Sequence, residues 1–330
     1  MVDDIDGIKK VSVVMCTFNG ARYLREQLMS IINQTYPIYE IIIQDDCSTD
    51  SSDILFQNFE KEYTCIHVYR NEIHKGINAN FFSAMQRAKG DFIAISDQDD
   101  IWELDKIENQ MNTIGDSYLS SGFSKPFSEN ESFYFDSRTP NLNLERLIYI
   151  ASSTPGHTLL FRKELLEKVP DMDFLLYDHL ITITAVALGG ISFCSKLLVN
   201  HREHLSSAAY TIPVMERGKN PKSVRNIVFS LFRTFGLYLK LRTEIKNWFV
   251  NMCALLNEFP DQENIIYAKK LAYYNSQKGV WAYLNLTYFC IKRRTRLFYT
   301  EVPNDLFTFL RALYFPISSS DYFRYMSKPD

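Results

Sequence analysis

The sequence predicts an α/β fold with a mostly parallel sheet, followed by a helical appendage. Apolar, β-branched runs alternate with segments in which apolar residues recur every three or four positions. This alternation implies right-handed β-α-β units and a parallel sheet. The charge divides unevenly, with a net of −12 for residues 1–214 and +9 for residues 215–330. We therefore predict a catalytic or binding domain over 1–214 and a helix-rich basic region over 215–330.

The first hundred residues predict four strands separated by helices. The strands are expected at the short apolar runs 11–16, 39–44, 66–69 and 92–95. The helices are expected over 21–32, 51–62 and 78–88. The fourth strand is apolar throughout, as in a strand buried on both faces.

The pattern weakens after this point. Residues 112–145 are rich in Ser, Asn and aromatic residues, and we predict an irregular insertion there. A strand is expected over 159–161 and a helix over 180–188, followed by two strand candidates at 191–194 and 197–200. Beyond residue 215, aromatic stripes interleaved with Lys and Arg predict helices.

Composition excludes several classes of protein. An apolar fraction of 46% and a charged fraction of 23% are ordinary for a soluble globular protein. Six scattered cysteines without a C-x-x-C pair predict a reduced, cytoplasmic protein. The acidic N-terminus predicts no secretory signal, and no apolar run reaches the ~18 residues that span a bilayer. A dinucleotide-binding glycine motif, a P-loop and a nucleic-acid recognition motif are all missing from the sequence.

Three carboxylates follow the fourth predicted strand, at Asp97, Asp99 and Asp100. Carboxylates this close repel one another unless a cation lies between them, and Mg²⁺ and Mn²⁺ prefer oxygen ligands. A solvated acidic turn is the structural alternative, and we expect Asp100 to cap a helix that starts at Trp102. The loops 17–20, 45–50 and 97–100 all follow parallel strands, where ligands bind in such sheets.

Three stretches resemble the nucleotide-binding half of family 2 glycosyltransferases: VSVVMCTFNG, QTYPIYEIIIQDDCSTD and NEIHKGINANFFSAMQRAKGDFIAISDQDDIWELDKI. The DQDDIW form is similar to bacterial rhamnosyltransferase-like members. The resemblance implies the GT-A fold. It implies a nucleotide-sugar half at about 10–110 and, more loosely, an acceptor half at about 111–214.

The resemblance implies a nucleotide site on the loops after the first strands. Phe18 is expected to stack on the base, and Asp46 to accept from its ring N–H group. The implied nucleotide-binding residues are Thr17, Phe18, Asn19, Asp45, Asp46, Asn78 and Asp97. Core packing of Phe18 and helix capping by Asp45 and Asp46 are the structural alternatives.

The resemblance also implies a cation and a catalytic base. Mn²⁺ or Mg²⁺ is expected at Asp97, Asp99 and His204, where it would neutralise the departing diphosphate. Asp178 is implied as the base that deprotonates the acceptor hydroxyl, with inversion at the anomeric carbon. Its structural alternative is the cap of the helix 180–188.

An acceptor pocket is implied at Gly156, His157 and Thr158. The sequence departs from its relatives near this pocket. His179 and Leu180 stand where relatives carry aromatic residues, and Ser206 and Ser207 stand where relatives carry Asn. The acceptor is therefore the least transferable part of the resemblance.

Together these residues imply an inverting, metal-dependent hexosyltransferase. The donor is expected to be a dTDP- or UDP-linked sugar, carrying rhamnose or another hexose. The expected acceptor is a saccharide of a surface polysaccharide, with a lipid-linked saccharide as the favoured form. Two alternatives stay open: a non-catalytic nucleotide-sugar-binding protein, and a metal-dependent nucleotidyltransferase or phosphohydrolase.

The basic region 215–330 has two interpretations. It is either a helical bundle that packs on the catalytic domain or on a partner subunit, a second copy included, or a surface that lies on an anionic membrane. The second interpretation suits a peripheral protein on the inner face of the cell membrane. Nucleic acid is not expected as a partner.

Overall fold

The computed structural model describes residues 7–128, 135, 137–149, 154–204, 224–298 and 306–327, without the side chains of 224–231 and 324–327. Contacts divide these residues into two compact units. The first contains the described residues within 1–139 and 154–203, and the second those within 140–153 and 204–330. The predicted domain boundary at residue 214 lies outside the described residues and stays a prediction.

The first unit is organised around a single sheet. Its strands are β1 Val11–Thr17, β2 Ile38–Asp45, β3 Ile66–Arg70, β4 Phe92–Ser96, β5 Ile101–Trp102, β6 Leu119–Phe127, β7 Leu160–Arg162 and β8 Ile191–Arg202. They pair in the order β3-β2-β1-β4-β7-β6-β8-β5. Strands β1 to β4 run parallel, β7 is antiparallel to both β4 and β6, and β8 runs parallel to β6. The predicted α/β fold with a mostly parallel sheet is confirmed.

Helices connect the strands and make up most of the second unit. They are α1 Ala21–Ile32, α2 Ser52–Glu62, α3 Ile77–Met85, α4 Lys106–Ile114, α5 Leu144–Leu147, α6 Tyr177–Leu188, α7 Val224–Asn257, α8 Glu263–Ser276, α9 Val280–Lys292, α10 Arg294–Leu297 and α11 Leu306–Ser318. Short 3-10 helices cover Gly156–Thr158, Lys163–Lys168 and Ser319–Ser327. The predicted helical C-terminal region is confirmed.

The sheet is buried on both faces, which explains the apolar strands. Val13 and Met15 of β1 point into one core, together with Leu24 and Leu28 of α1. Val14, between them in sequence, points into the opposite core. Because side chains alternate along a strand, a strand covered on both faces needs apolar residues at successive positions.

The predicted irregular insertion over 112–145 is wrong for residues 119–127, which form β6 in the middle of the sheet. Its Ser, Gly and Pro residues have low β propensity, but β7 and β8 pair with it on either side. Gly122 is required by this packing, since a Cβ atom there would lie 2.8 Å from the Cys194 carbonyl oxygen. Tertiary pairing overrides local propensity in this strand.

The two predicted strands at 191–194 and 197–200 are one continuous strand, β8. Its pairing with β6 shifts from Gly122↔Cys194 to Phe123↔Leu197, so residues 195 and 196 form a bulge. Such an irregularity bends a strand locally without ending it.

The predicted helix start at Trp102 is also wrong. Ile101 and Trp102 form the short strand β5, which pairs with β8, and α4 begins four residues later at Lys106. Asp100 therefore caps no helix, and its carboxylate has a different environment, described below.

The second unit has its own aromatic core. Tyr149 lies at its centre, with ring centroids 5.1 Å from both Phe249 and Phe315. The buried Glu145 of α5 accepts a hydrogen bond of 2.5 Å from Arg293. Residues 140–149 thus pack with the C-terminal helices rather than with the sheet. Among the helices of the described chain, none is long and apolar enough to cross a membrane.

Candidate functional site

The site candidates lie at the carboxyl edge of the parallel strands, as the sequence predicts. Thr17 at the end of β1 pairs with Asp45 at the end of β2, and Met15 of β1 pairs with Ser96 at the end of β4. The loops that leave these three strands therefore start side by side.

The loop after β2 is held in shape by Asp45. Its buried carboxylate accepts hydrogen bonds from the Thr17 hydroxyl at 3.0 Å and from the Ser48 hydroxyl at 2.5 Å. The Ser48 backbone N–H donates to it as well, at 3.0 Å. Asp45 and Thr17 were predicted to bind nucleotide, and here both contribute to the closed network that fixes this loop.

Asp46 holds the neighbouring loop. Its carboxylate accepts from the backbone N–H groups of Lys75 and Gly76 at 2.8 and 2.9 Å, and from the Asn71 amide at 2.7 Å. The His74 Nδ1 atom lies 2.9 Å from the same carboxylate. Burial opposes ionisation of this carboxyl, but these hydrogen bonds outweigh it and lower its pKa below the usual value. Asp46 is therefore ionised at neutral pH.

Phe18 is placed as the stacking prediction requires. Its side chain is 46% exposed, and its ring lies 4.7 Å from the ring of His74. Gln98, the middle residue of the acidic loop, accepts from the Phe18 N–H at 2.9 Å and donates to the Phe18 carbonyl at 3.2 Å. The amide of Gln98 packs so closely on Gly20 that a Cβ atom at that position would collide with it. Gln98 thus fixes the backbone that presents the Phe18 ring.

Asn19 and Asn78 serve as structural clamps. Asn19 has a positive φ of 51°, and its side-chain oxygen accepts from the Thr49 N–H at 2.8 Å. Asn78 donates to the Leu175 carbonyl at 2.7 Å and accepts from the Tyr177 N–H at 2.9 Å. Asn78 thereby fixes the start of α6, which carries the predicted base.

A cluster of two carboxylates and two imidazoles lies beside the β4 loop, and we call it the acidic–histidine cluster. Its members are Asp97, Asp100, His157 and His201, and each can direct one ligand atom so that all four atoms lie within 4.8 Å of one another. His157 Nδ1 lies 3.3 Å from Asp97 and 3.5 Å from Asp100. His201 Nδ1 lies 2.8 Å from Asp100, and the two imidazole rings stack at 4.5 Å.

The cluster fits a divalent cation on two grounds. The Oδ2 atom of Asp100 is completely buried and has no hydrogen-bond partner in the described part of the chain, an arrangement that is costly without a ligand. The donor set of two carboxylate oxygens and two imidazole nitrogens suits Mn²⁺ and related transition ions better than Mg²⁺.

The pKa values of the two histidines shift in opposite directions. Burial lowers the pKa of His157 to about 3, so its imidazole is neutral. Burial also opposes protonation of His201, but the hydrogen bond and charge of Asp100 outweigh it and raise the pKa of His201 to about 9. In the absence of a cation, the imidazolium of His201 therefore offsets part of the carboxylate charge.

Both histidines are held in place by further contacts. His157 Nε2 lies 2.8 Å from the Ser124 hydroxyl on β6. The 3-10 helix that carries His157 is held at Thr158, whose carbonyl accepts from Gln110 at 2.8 Å and whose hydroxyl lies 2.8 Å from that of Ser121. Thr158 is completely buried. Of the three predicted acceptor residues, His157 alone lies in the acidic–histidine cluster.

The predicted metal ligands are brought together only in part. Asp97 belongs to the acidic–histidine cluster, whereas the carboxylate of Asp99 does not. The Asp99 backbone carbonyl accepts from Arg202 at 2.9 Å. His204 belongs to the second unit, and its role as a ligand stays a prediction.

Asp178 lies in the first turn of α6 and is linked to the acidic–histidine cluster through Gly156. The backbone N–H groups of His179 and Gly156 donate to its carboxylate, the former at 2.8 Å. Burial raises the pKa of Asp178 to about 6, and the negative charge of Asp97 adds to the rise. A Cβ atom at Gly156 would collide with the Tyr177 hydroxyl, so the close approach of residue 156 to α6 requires glycine. A carboxyl group with a pKa near neutrality is suited to act as a general base.

Part of the chain is similar to a known family. Residues 12–169 match the family described as glycosyl transferase family 2, and this stretch includes the three edge loops and His157.

Known relatives match the chain over limited lengths. The dTDP-rhamnosyl transferase RfbG of Shigella flexneri is 31% identical over 163 residues, which cover 46% of this chain and 55% of RfbG. The glucosyltransferase WfgD of Escherichia coli, which is named for a diphosphoundecaprenol-linked acceptor, is 33% identical over 104 residues. That match covers 32% of this chain and 40% of WfgD. The chain thus spans about half of the length of these relatives.

Solved structures support the fold of the domain. The S. aureus TarS fragment 1–349 in complex with UDP-GlcNAc aligns with a TM-score of 0.53 at 20% identity, covering 87% of this chain and 91% of that one. This likeness and the mixed sheet establish the GT-A fold.

Sequence reasoning missed three residues of the candidate site. Asp100 was assigned to a helix cap, and no role was assigned to His201 or Gln98. A signal existed for His201, because it directly follows a predicted strand at 197–200 in a domain whose other polar loops follow strands. No pattern in the sequence indicates that β8 brings His201 next to His157.

Proposed function

We propose that this chain is an inverting glycosyltransferase. It moves a hexose from a nucleoside diphosphate to a hydroxyl group of a surface saccharide. The observation that carries the proposal is Asp178, a half-buried carboxyl with a pKa of about 6 beside the acidic–histidine cluster, at the edge of a sheet that matches the family 2 model. The names of RfbG and WfgD support dTDP- or UDP-linked donors and a lipid-diphosphate-linked acceptor.

The nucleotide has a place on the loops after β1 and β2. Phe18 offers an exposed ring for stacking on the base, and Gln98 holds its backbone. Asp46 contacts His74 and the backbone of Lys75 and Gly76. We propose that it shapes the base pocket by holding this loop in place. We propose that these side chains select a pyrimidine base, which both dTDP and UDP contain.

We propose that Asp97, Asp100, His157 and His201 hold the divalent cation. When bound, a cation there would supply positive charge to the departing diphosphate. The buried side chains of Asp100 and His157 keep the ligand atoms in position. Asp99 and His204 stay as the ligands predicted from the family resemblance.

Asp178 accepts the proton of the acceptor hydroxyl as that oxygen attacks the anomeric carbon. The N–H groups of His179 and Gly156 orient the carboxylate and stabilise its charge. The described residues beside Asp178 provide no additional carboxylate positioned as a nucleophile, so a single displacement with inversion is the proposed course.

We also propose that the basic C-terminal helices rest on a membrane surface that carries the acceptor. Residues 215–330 have a net charge of +9, and anionic lipids attract such segments. Co-sedimentation with anionic vesicles tests this part separately from catalysis.

The reaction is tested with Asp178→Asn. We expect transfer from a nucleotide sugar to fall by about 10²–10⁴-fold, the usual contribution of a general base. The melting temperature at pH 7 should not fall, because burial disfavours the ionised carboxyl that the substitution removes. In the wild type, kcat/KM should fall about tenfold per pH unit below roughly pH 6.

Asp173→Asn is the matched control, since Asp173 is an exposed aspartate five positions upstream. Full activity of Asp178→Asn would contradict the assignment. Turnover of nucleoside triphosphates with sugar 1-phosphates would instead indicate a nucleotidyltransferase. Donor binding without turnover on any saccharide acceptor would indicate a binding protein.

A further inference from the structure

A cavity of about 280 Å³ lies within the helical second unit. This volume is close to the lower end of the range for small-ligand sites, roughly 300–1,000 Å³. Its lining comes from α7, the end of α8, the turn between α8 and α9, α9 itself and α11. We call it the helical-unit pocket.

The charged residues that line the helical-unit pocket are all positive. Arg242, Lys246 and Lys278 contribute to it, and its lining contains no Asp or Glu. None of the three forms an ion pair or hydrogen bond with any residue in the described parts of the chain. Two other cations of the unit are paired: Lys269 with Asp261 at 2.6 Å, and Arg293 with Glu145.

The three positive charges repel one another, and a bound anion would relieve the repulsion. Arg242 and Lys246 lie one turn apart on α7, a spacing at which like charges destabilise a helix. Lys278 approaches from the turn before α9. Three cations that converge on one cavity without carboxylates indicate a site for a multiply charged anion.

The remaining lining supplies hydrogen-bond donors and an apolar floor. The side chains of Tyr238, Tyr274 and Tyr283 are half-buried in the wall, and their hydroxyl groups can donate to phosphate oxygens. Ile245 and Leu286 are buried beneath them. The ring faces suit a sugar or an acyl chain attached to the anion.

The N-terminus of α9 opens at the same place. Gly279 lines the pocket with a φ of 101°, and the first turn of this 13-residue helix carries no acidic residue. Its unpaired N–H groups favour a bound anion. The next two side chains, Val280 and Trp281, are 73% and 80% exposed, as expected where a protein meets a lipid headgroup region.

We propose that the helical-unit pocket binds a phosphate group, supplied by an anionic lipid headgroup or by a soluble phosphorylated saccharide. Two unpaired side chains on α7, one on the turn between α8 and α9, and three tyrosines surround it. This site shares no residue with the proposed donor site. Phosphate binding at this site is independent of the proposed transfer reaction, and it can be measured without donor or acceptor.

The test uses the full-length protein and two probes. Glucose 1-phosphate, with inorganic phosphate alongside, is titrated by calorimetry, and vesicles of phosphatidylcholine with or without phosphatidylglycerol are tested by co-sedimentation. The pocket variant is Arg242→Gln, Lys246→Gln and Lys278→Gln. The control variant is Lys240→Gln, Lys270→Gln and Lys292→Gln, which removes the same charge from exposed positions outside the pocket.

We expect the pocket variant to lose about tenfold or more in affinity for at least one probe, while the control loses about twofold or less. Loss with vesicles alone identifies a lipid headgroup, and loss with glucose 1-phosphate alone identifies a soluble ligand. Equal losses in both variants would show attraction by net charge only and overturn the pocket, as would wild-type protein that binds neither probe. The double variant Arg242→Gln and Lys278→Gln, at exposed positions, repeats the test if the triple variant is unstable.

Discussion

Two regions of the sheet edge use carboxylates in opposite ways. In the loops after β1 and β2, Asp45 and Asp46 are surrounded by donors from the protein itself, and each holds a loop. In the acidic–histidine cluster, Asp100 accepts from His201 and from the Arg202 backbone on one oxygen. The other oxygen is buried without a hydrogen bond among the described residues, with His157 Nδ1 3.5 Å away. A buried polar atom that the protein leaves unsatisfied indicates a ligand, whereas a satisfied one indicates structure.

The contrast also separates two kinds of aspartate that look alike in sequence. Asp45-Asp46 and Asp99-Asp100 are both acidic pairs at or shortly after the end of a β-strand. Asp46 contacts one histidine, His74, and its carboxylate is satisfied by backbone and amide donors. Asp100 instead meets two histidines, which come from the 3-10 helix at 156–158 and from β8. Charge in the sequence therefore does not by itself identify a metal site.

The largest effect should come from the acidic–histidine cluster. We expect His201→Ala to weaken Mn²⁺ binding about 100-fold or more, because it removes a ligand that no neighbouring group replaces. Manganese binding is measured by electron paramagnetic resonance, and transfer activity is measured alongside. His67→Ala on β3 is the control and should bind Mn²⁺ as the wild type does.

Asp99→Asn, measured in the same series, sharpens the assignment. If His201→Ala weakens Mn²⁺ binding and Asp99→Asn does not, the four-residue cluster is the site. The reverse result would restore the ligand set predicted from the family resemblance and contradict the cluster.

A smaller effect is expected from Asp46→Ala, and it should fall on stability first. The substitution leaves the Lys75 and Gly76 N–H groups without their acceptor, so we expect a loss of about 2–4 kcal/mol in the free energy of unfolding. Because the folded-state pKa of Asp46 lies below 3.8, its contribution is complete above that pH and is lost as acid protonates the carboxyl. Urea unfolding at pH 7 and at pH 3 measures both points.

The outcome separates the two roles considered for Asp46. A raised KM for the donor with unchanged stability would favour a direct contact to the base. Lost stability in Asp46→Ala, with a smaller difference from the wild type at pH 3, would favour the loop anchor.

The smallest effect is expected from Gln98→Ala. It removes two hydrogen bonds to the Phe18 backbone, worth about 1 kcal/mol each at most, from an exposed segment. We expect the donor KM to rise several-fold with little change in kcat, as measured by steady-state kinetics. Gln57→Ala, an exposed glutamine on α2, should change neither, and an unchanged KM in Gln98→Ala would show that the Phe18 ring needs no such support.

The sequence predicted the parallel half of the sheet because that half depends on local periodicity. Strands β1, β2 and β4 are buried on both faces, so their apolar runs are visible without any knowledge of their partners. Strand β6 was missed because its residues have no such pattern. Its place depends on pairing with β7 and β8, which are distant in sequence.

The residues of the candidate site can be divided in the same way, into those that the sequence predicted and those that it did not. The sequence, through its family resemblance, predicted roles for Asp178, Phe18 and the acidic loop, because each stands next to a recognisable element or motif. The tertiary structure alone decided that Asp100 faces His157 and His201, and that Asp45 and Asp46 hold loops. The first set follows from neighbours in the chain, whereas the second depends on which oxygen atoms find donors across the fold. That distinction becomes visible only when residues about 60 to 100 positions apart are brought within hydrogen-bonding distance.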